Sequence, residues 1–172
     1  MGSYSAELIT TLEAFEALKD SWNELVGNME YPEIFYLWEW NFYYFRHYRE
    51  NDRLLIVVVR HSSGRIAAIA PFCVRDVRRF GCLVRVVETI VAEIGDYQNI
   101  LIRSDYHRGR IVSAVLGRLR DRSGEWDVID ISQLCSRDPS TFHIVNVAQA
   151  HTDWSVRVQT LTPVAVRRSA PH

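Results

Sequence analysis

The chain has 172 residues, of which 48% are hydrophobic and 24% charged, and its formal net charge is −1. That is the size and make-up of one globular domain with a real core. The balanced charge excludes a general pull toward nucleic acid or anionic membrane.

The three cysteines, Cys73, Cys82 and Cys135, are odd in number and show no CxxC spacing. The six histidines show no HExxH or similar ligand spacing. Neither a disulfide framework nor a metal site is signalled. No amino-terminal segment resembles a signal peptide, and no apolar run reaches the ~20 residues that span a bilayer. The expectation is a reduced, cytoplasmic protein with no metal, no nucleic-acid partner and no membrane insertion.

Glu7–Thr10 reads as an opening strand. Thr10 and Glu13 form a capping box, after which Phe15, Leu18, Trp22 and Leu25 repeat at helical spacing until Gly27 and Asn28. Ten of the twenty aromatic residues then fall between Tyr31 and Tyr48. With Pro32 at its start, that run predicts a helix apolar on two sides. Phe35, Trp38, Phe42 and Phe45 line one face and read as core. Tyr36, Trp40, Tyr43 and Tyr44 line the other, and their hydroxyl and indole groups suit a wet groove, a partner domain or a dimer surface.

Leu54–Arg60 is β-branched and continuous, a strand buried on both faces. His61–Gly64 is a turn and Arg65–Val74 the returning strand, where Pro71 marks an edge or bulge because it cannot donate to a ladder. A turn at Arg78–Gly81 leads into a third antiparallel strand, Cys82–Ile90. Arg75, Arg78, Arg79 and Arg85 there read as a solvated charged surface. Gly95–Tyr97 interrupts before a strand at Asn99–Ile102. Asp105 or Ser104 caps a helix from His107 to Arg122, with Ile111 or Val112, Val115, Leu116 and Leu119 as its core face. Asp127–Ser132 is a strand. Asp138 and Pro139 open a short helix carrying Phe142, Val145 and Ala148. Trp154–Gln159 alternates as a last strand.

The predicted fold is α/β (α+β), a mixed central sheet with helices packed on it, in one domain over 1–162 with a frayed tail at 163–172. Several pieces, in this order, carry a resemblance: FEALKDSWNEL (15–25), FYLWEW (35–40), IAAIAPF (66–72) and GDYQNILI (95–102). Together they make the chain similar to the amino-terminal half of bacterial CelD-type proteins, acetyltransferases of the GNAT superfamily. These are associated with cellulose and exopolysaccharide biosynthesis and related to FemAB-like tandem GNAT proteins. The resemblance implies a GNAT-like sheet and transfer of an acyl group from acetyl-CoA or another acyl-CoA to an amine or hydroxyl acceptor. It also implies that a second GNAT unit usually follows, so the chain is expected to be a half unit.

The GNAT coenzyme loop, [Q/R]xxGx[G/A], presents backbone N–H groups to a pyrophosphate at a helix start. Here that position is Tyr106–Ile111. Gly109 matches the first glycine, Arg108 and Arg110 are placed to pair with phosphate, and Tyr106 and Ile111 depart from the pattern. A β-branched side chain at Ile111 is expected to block a close backbone approach. A charged helix start with no ligand is the other reading of this loop. For proton handling in acyl transfer, Asp96 and Tyr97 are the expected catalytic pair, with Glu88 and Glu93 as other acids. The alternative function is a non-catalytic GNAT-like module whose aromatic helix holds a second GNAT domain or a second copy.

Overall fold

The computed structural model describes residues 2–95 and 97–159. The elements run β1 (Tyr4–Ile9), α1 (Leu12–Glu16), α2 (Lys19–Gly27), α3 (Trp38–Tyr48), β2 (Arg53–Leu54), β3 (Ile56–His61), β4 (Ile66–Ala70) and β5 (Phe72–Arg79). They continue with β6 (Cys82–Thr89), β7 (Leu101–Ile102), α4 (Arg108–Arg120), β8 (Val128–Asp130) and α5 (Pro139–Ala150). The strands form two four-stranded sheets, ordered β1-β3-β4-β7 and β2-β5-β6-β8.

One long hairpin joins the two sheets. Arg53 pairs with Val74 and Val57 with Ala70 in a single register, and the Leu55 N–H donates to the Phe72 carbonyl at 3.0 Å between them. Gly64, at φ +86°, closes the turn in a conformation that side-chain-bearing residues rarely adopt. Pro71 sits where one sheet hands over to the other. Its carbonyl accepts from the Ile90 N–H at 2.8 Å, but it has no N–H to donate. At this level the neighbouring strand changes from β7 to β6, and between the two Gln98 makes only an isolated bridge to Leu134. The crossover through α4 then brings β8 back parallel to β6, Val86 opposite Val128.

Alternation along β3 builds two cores. Ile56 and Val58 face α1–α3, whereas Leu55, Val57 and Val59 face α4 and α5. The first core is aromatic: Phe15 meets Trp22 and Phe42 at 5.3 Å, and Trp38 stacks on Phe42 at 4.3 Å. Its indoles are satisfied within the core, Trp22 donating to the Tyr36 carbonyl and Trp38 to that of Phe15. The second core is aliphatic and is anchored by Ile111, Val112, Val115, Leu116 and Leu119 of α4.

The aromatic run does not form the expected single helix. Ile34–Tyr36 is a 3-10 turn, Leu37 is extended, and α3 begins at Trp38. Tertiary partners impose the break: Asn23 Oδ1 accepts the Trp38 N–H, and Asn41 Nδ2 takes the Phe35 and Leu37 carbonyls. Tyr36 is therefore off the helix and buried. The first helix is divided at Ala17–Leu18, and Thr11, not Thr10, caps it by accepting from the Ala14 N–H.

Asn28 ends α2 without a left-handed backbone, its side chain donating back to the Glu24 carbonyl. Helix α4 is capped by His107 rather than Ser104 or Asp105. Asp138 and Pro139 open α5 as expected, but Phe142 faces solvent and Ile144 is the core anchor. The strand at 154–159 is absent. Trp154 packs instead on Trp126 and His151, and residues 155–159 are exposed. The tail at 163–172 lies outside the described residues.

Candidate active site at the break in the sheet

Where Pro71 interrupts the ladder, a small cleft opens between the end of β6 and the start of β7. Pro71, Thr89, Gln98, Asn99 and Asn41 line it, walled by rings such as Tyr36 and Tyr97. Its free volume, ≈ 10 Å³, is that of one water-sized group. Asn41, Thr89, Gln98 and Asn99 are each at most 2% exposed.

Asn99 is satisfied: it donates to Asp138 at 2.6 Å, and its oxygen takes the Ile100 N–H at 2.8 Å. Asn41 Oδ1, Thr89 Oγ1 and Gln98 Oε1 are buried without any hydrogen-bond partner. The amide orientations are fixed from the other side. Asn41 donates to two carbonyls at 3.0 Å, and Gln98 donates to Gln133 Oε1 at 2.9 Å and to the Val91 carbonyl.

Tyr36 and Tyr97 flank this cleft. Burial pushes the Tyr36 hydroxyl well above its ordinary pKa, helped by the negative charge of Asp138, so it stays protonated at neutral pH. Tyr97 is half-exposed at the edge. Asp96, its expected partner, lies outside the described residues.

The start of α4 is arranged differently. The His107 N–H donates to the Tyr4 hydroxyl at 3.2 Å, and the His107 ring accepts weakly from the Arg110 N–H at 3.4 Å. The Arg108 guanidinium binds Glu30 at 2.6 Å, and that of Arg110 lies over the Tyr4 ring. A Cβ on Gly109 would stand 3.3 Å from His143 Nδ1 of α5, so that face of the glycine is covered. Ile111 does not obstruct the loop as its branching suggested; it is turned fully into the aliphatic core. The Arg108 and Gly109 N–H groups have no partner among the described residues. With His107, Arg110 and His143 beside them, they fit one phosphate approaching from solvent.

No family model matches the sequence, and no curated protein matches it. Solved structures do match. An aminoglycoside acetyltransferase from an uncultured soil metagenomic sample is 13% identical, with 95% of this chain and 99% of that chain covered and a TM-score of 0.51. A ribosomal-protein-alanine N-acetyltransferase from Brucella melitensis biovar Abortus is 15% identical, with 92% of this chain and 100% of that chain covered and the same TM-score of 0.51. The fold is that of the GNAT acetyltransferases. At such identities the likeness fixes architecture, and chemistry has to be argued from side chains.

Two further groups in this GNAT fold bear on function. The outer side of α3 carries a shallow groove of ≈ 320 Å³ lined by Glu39, Trp40, Tyr43, Tyr44, His47 and Tyr48. Trp40 and Tyr43 are 41% and 51% exposed, whereas Tyr36 and Tyr44 are buried, so the expected four-residue face is split. Tyr44 donates to Glu93 at 3.1 Å, a bond that holds the Glu93 carboxyl below its ordinary pKa.

Beneath α3, Asp52, Cys73 and Glu88 bring possible ligand atoms within 4.8 Å of one another. Arg49 occupies that position, donating to both carboxylates, and burial keeps the Cys73 thiol protonated. This is a buried ion pair, and it removes Glu88 from the candidate acids. No helix among the described residues is long and apolar enough to cross a membrane.

The sequence had pointed to Tyr97 and Tyr36 but not to Asn41, Thr89 or Gln98. A signal existed for Asn41, since it interrupts an otherwise aromatic buried stripe between Trp38 and Phe45.

Proposed function

We propose that this chain is an acyl-CoA-dependent acyltransferase whose acceptor enters the cleft at Pro71. The observation that carries this reading is the set of three buried, unpartnered polar atoms. Each costs roughly 1–3 kcal/mol if left unsatisfied, so a polar ligand group or a water is expected there. The expected reaction joins the acceptor's nucleophilic atom to the acyl carbon and releases the coenzyme thiol. The bound coenzyme supplies an electrophilic thioester carbonyl.

This chain's own residues do the rest. Asn41, Thr89 and Gln98 hold the acceptor group, and the protonated Tyr36 hydroxyl is a proton donor at neutral pH. Tyr97, at the cleft edge, and its chain neighbour Asp96 are the groups assigned to take the acceptor proton. The Arg108 and Gly109 N–H groups and the Arg110 guanidinium hold a phosphate of the coenzyme. The family pieces in the sequence favour a role of the CelD type, in polysaccharide-related chemistry in the cytoplasm.

Calorimetry with acetyl-CoA tests the reading. Heat of binding that weakens at least tenfold in Arg110→Ala supports it, and no heat at millimolar coenzyme sinks it.

The exposed Trp40 and Tyr43 favour a second reading, a docking module for another GNAT domain or a second copy. The covering of Gly109 by His143 points the same way. Light scattering on Trp40→Ser/Tyr43→Ser decides: an assembly that the substitutions dissolve supports docking, and a monomer before and after rejects self-association.

A further inference from the structure

The arginines of β5 and β6 separate into two kinds. Arg75 pairs with Glu93 at 2.7 Å and Arg85 with Asp127 at 2.7 Å, whereas Arg78 and Arg79 have no ion pair among the described residues. Those two sit where the hairpin leaves the sheet. On one side β2 reaches only to Val74, and on the other the last backbone bond runs from the Asp127 N–H to the Arg85 carbonyl at 2.8 Å. Beyond that level, among the described residues, each strand pairs only with the other, from Asp76–Arg85 to Arg79–Cys82. The free ribbon is about 15 Å long at about 3.3 Å per residue, and residues 78–83 are all exposed.

Its tip is Phe80–Gly81, with φ +51° and +82°. Two-residue hairpin turns with both φ positive normally take Asn-Gly. A bulky ring is strained there, and this ring is also wholly exposed, with Leu83 59% exposed beside it. Neither the strain nor the exposure serves the fold. Register sets Arg78 opposite Leu83 on one face of the ribbon and Arg79 opposite Cys82 on the other. No acidic residue occurs from Val77 to Val84. The result is an apolar point inside a cationic collar. That chemistry matches an anionic lipid surface, where rings enter the acyl boundary and arginines reach the headgroups. A protein partner is a poorer match, since stable interfaces take roughly 20–30 residues a side. The overall charge of −1 gives no general attraction, so contact would depend on this tip, and a tip at headgroup depth needs no spanning helix.

We propose that the β5–β6 tip docks the protein on an anionic lipid surface, Phe80 and Leu83 inserting and Arg78 and Arg79 binding headgroup phosphates. Sedimentation of the full chain with vesicles tests it, using phosphatidylcholine alone or mixed equally with phosphatidylglycerol. Binding is expected to be at least tenfold stronger on the mixed vesicles and to weaken as salt rises. It should fall at least tenfold in Phe80→Asn and in Arg78→Gln/Arg79→Gln. Phe80→Asn should also melt higher than the native chain, because asparagine suits the turn, so its lost binding is not lost folding. Leu83→Ser is the second apolar variant. Cys82 is exposed and Cys73 buried, so a polarity-sensitive dye on Cys82 in Cys135→Ser reports the tip, and its emission should shift to the blue on mixed vesicles. No binding to mixed vesicles overturns the proposal, as does equal binding to both lipids. Binding that Phe80→Asn and Leu83→Ser leave intact, or a dye that stays in water, overturns it too. A dimer that Phe80→Asn dissolves, without vesicle binding, would assign the tip to a second copy instead.

Discussion

The two ends of the path from β6 to α4 treat their polar groups in opposite ways. At the α4 end the strong side chains have partners: Arg108 has Glu30, His107 has Tyr4, and Arg103 binds Glu24 through two contacts of 2.6 and 2.8 Å. At the sheet break, more deeply buried residues keep three atoms without a protein partner. A fold selected only for stability would satisfy both ends or bury apolar groups at both. Arg49 Nε and Nη2 beneath α3 are likewise buried without a partner, so it is the adjoining cleft that sets the sheet break apart.

Substitutions should therefore have opposite signs at the two ends. The largest effect is expected at Asp138, which satisfies Asn99 in the cleft wall. Asp138→Ala removes the α5 cap at Ser140 and leaves Asn99 Nδ2 without its acceptor. Urea unfolding should show a loss of about 2–4 kcal/mol. At the unsatisfied end, Thr89→Val should instead stabilise by about 1 kcal/mol, since it removes an unpaired hydroxyl at constant shape. A loss of stability there would show that the hydroxyl has a partner in solution, and the contrast between the ends would fail.

The sequence disclosed the architecture better than the site. Periodicity placed the hairpin, the β6 strand, α4 with its core face, and the Asp138–Pro139 helix start, because each rests on local chemistry. It misplaced what tertiary partners decide. Nothing local shows that Asn23 caps α3 from another helix, or that the Trp22 indole takes the Tyr36 carbonyl and holds that residue off α3. The exposure of Phe142 and the unpaired state of residues 155–159 are equally non-local. For the site, Pro71 was legible as a break in the ladder, but not the cleft behind it. That cleft depends on residues 41, 89 and 98 arriving from three separate segments. Ile111 shows the same limit in reverse: its branching matters only if it faces the loop, and the helix phase turns it into the core.

A double-mutant cycle sharpens the description of the closed end. Gly109 lies in the first turn of α4, where alanine is worth about 0.5–1 kcal/mol over glycine by helix propensity. In the native chain that gain should be cancelled by the 3.3 Å approach to His143. With His143→Ala present, Gly109→Ala should recover it. A coupling of about 0.5–1 kcal/mol by thermal unfolding marks direct contact between α4 and α5, and strict additivity denies it.

The smallest effect concerns the strand that carries the polar chain toward the cleft. Arg85 reaches across to Asp127 just before β8, with contacts of 2.7 and 3.0 Å and a backbone N–H at 2.8 Å. The Arg85 side-chain and backbone hydrogen bonds pull the Asp127 carboxyl from 3.8 down to about 2. A folded-state pKa below the unfolded one stabilises the protein above about pH 4, and the contribution disappears as pH falls toward 2. The pair is open to solvent and screened, so the effect is small. Comparing unfolding of the native chain with Asp127→Asn between pH 5 and 2 isolates it: the two should differ at pH 5 and converge at pH 2. If they run parallel throughout, the latch holding β8 beside β6 is not electrostatic. The wall of the cleft at Gln98 would then depend on packing and on the bonds of Gln98 to Gln133 and to the Val91 carbonyl.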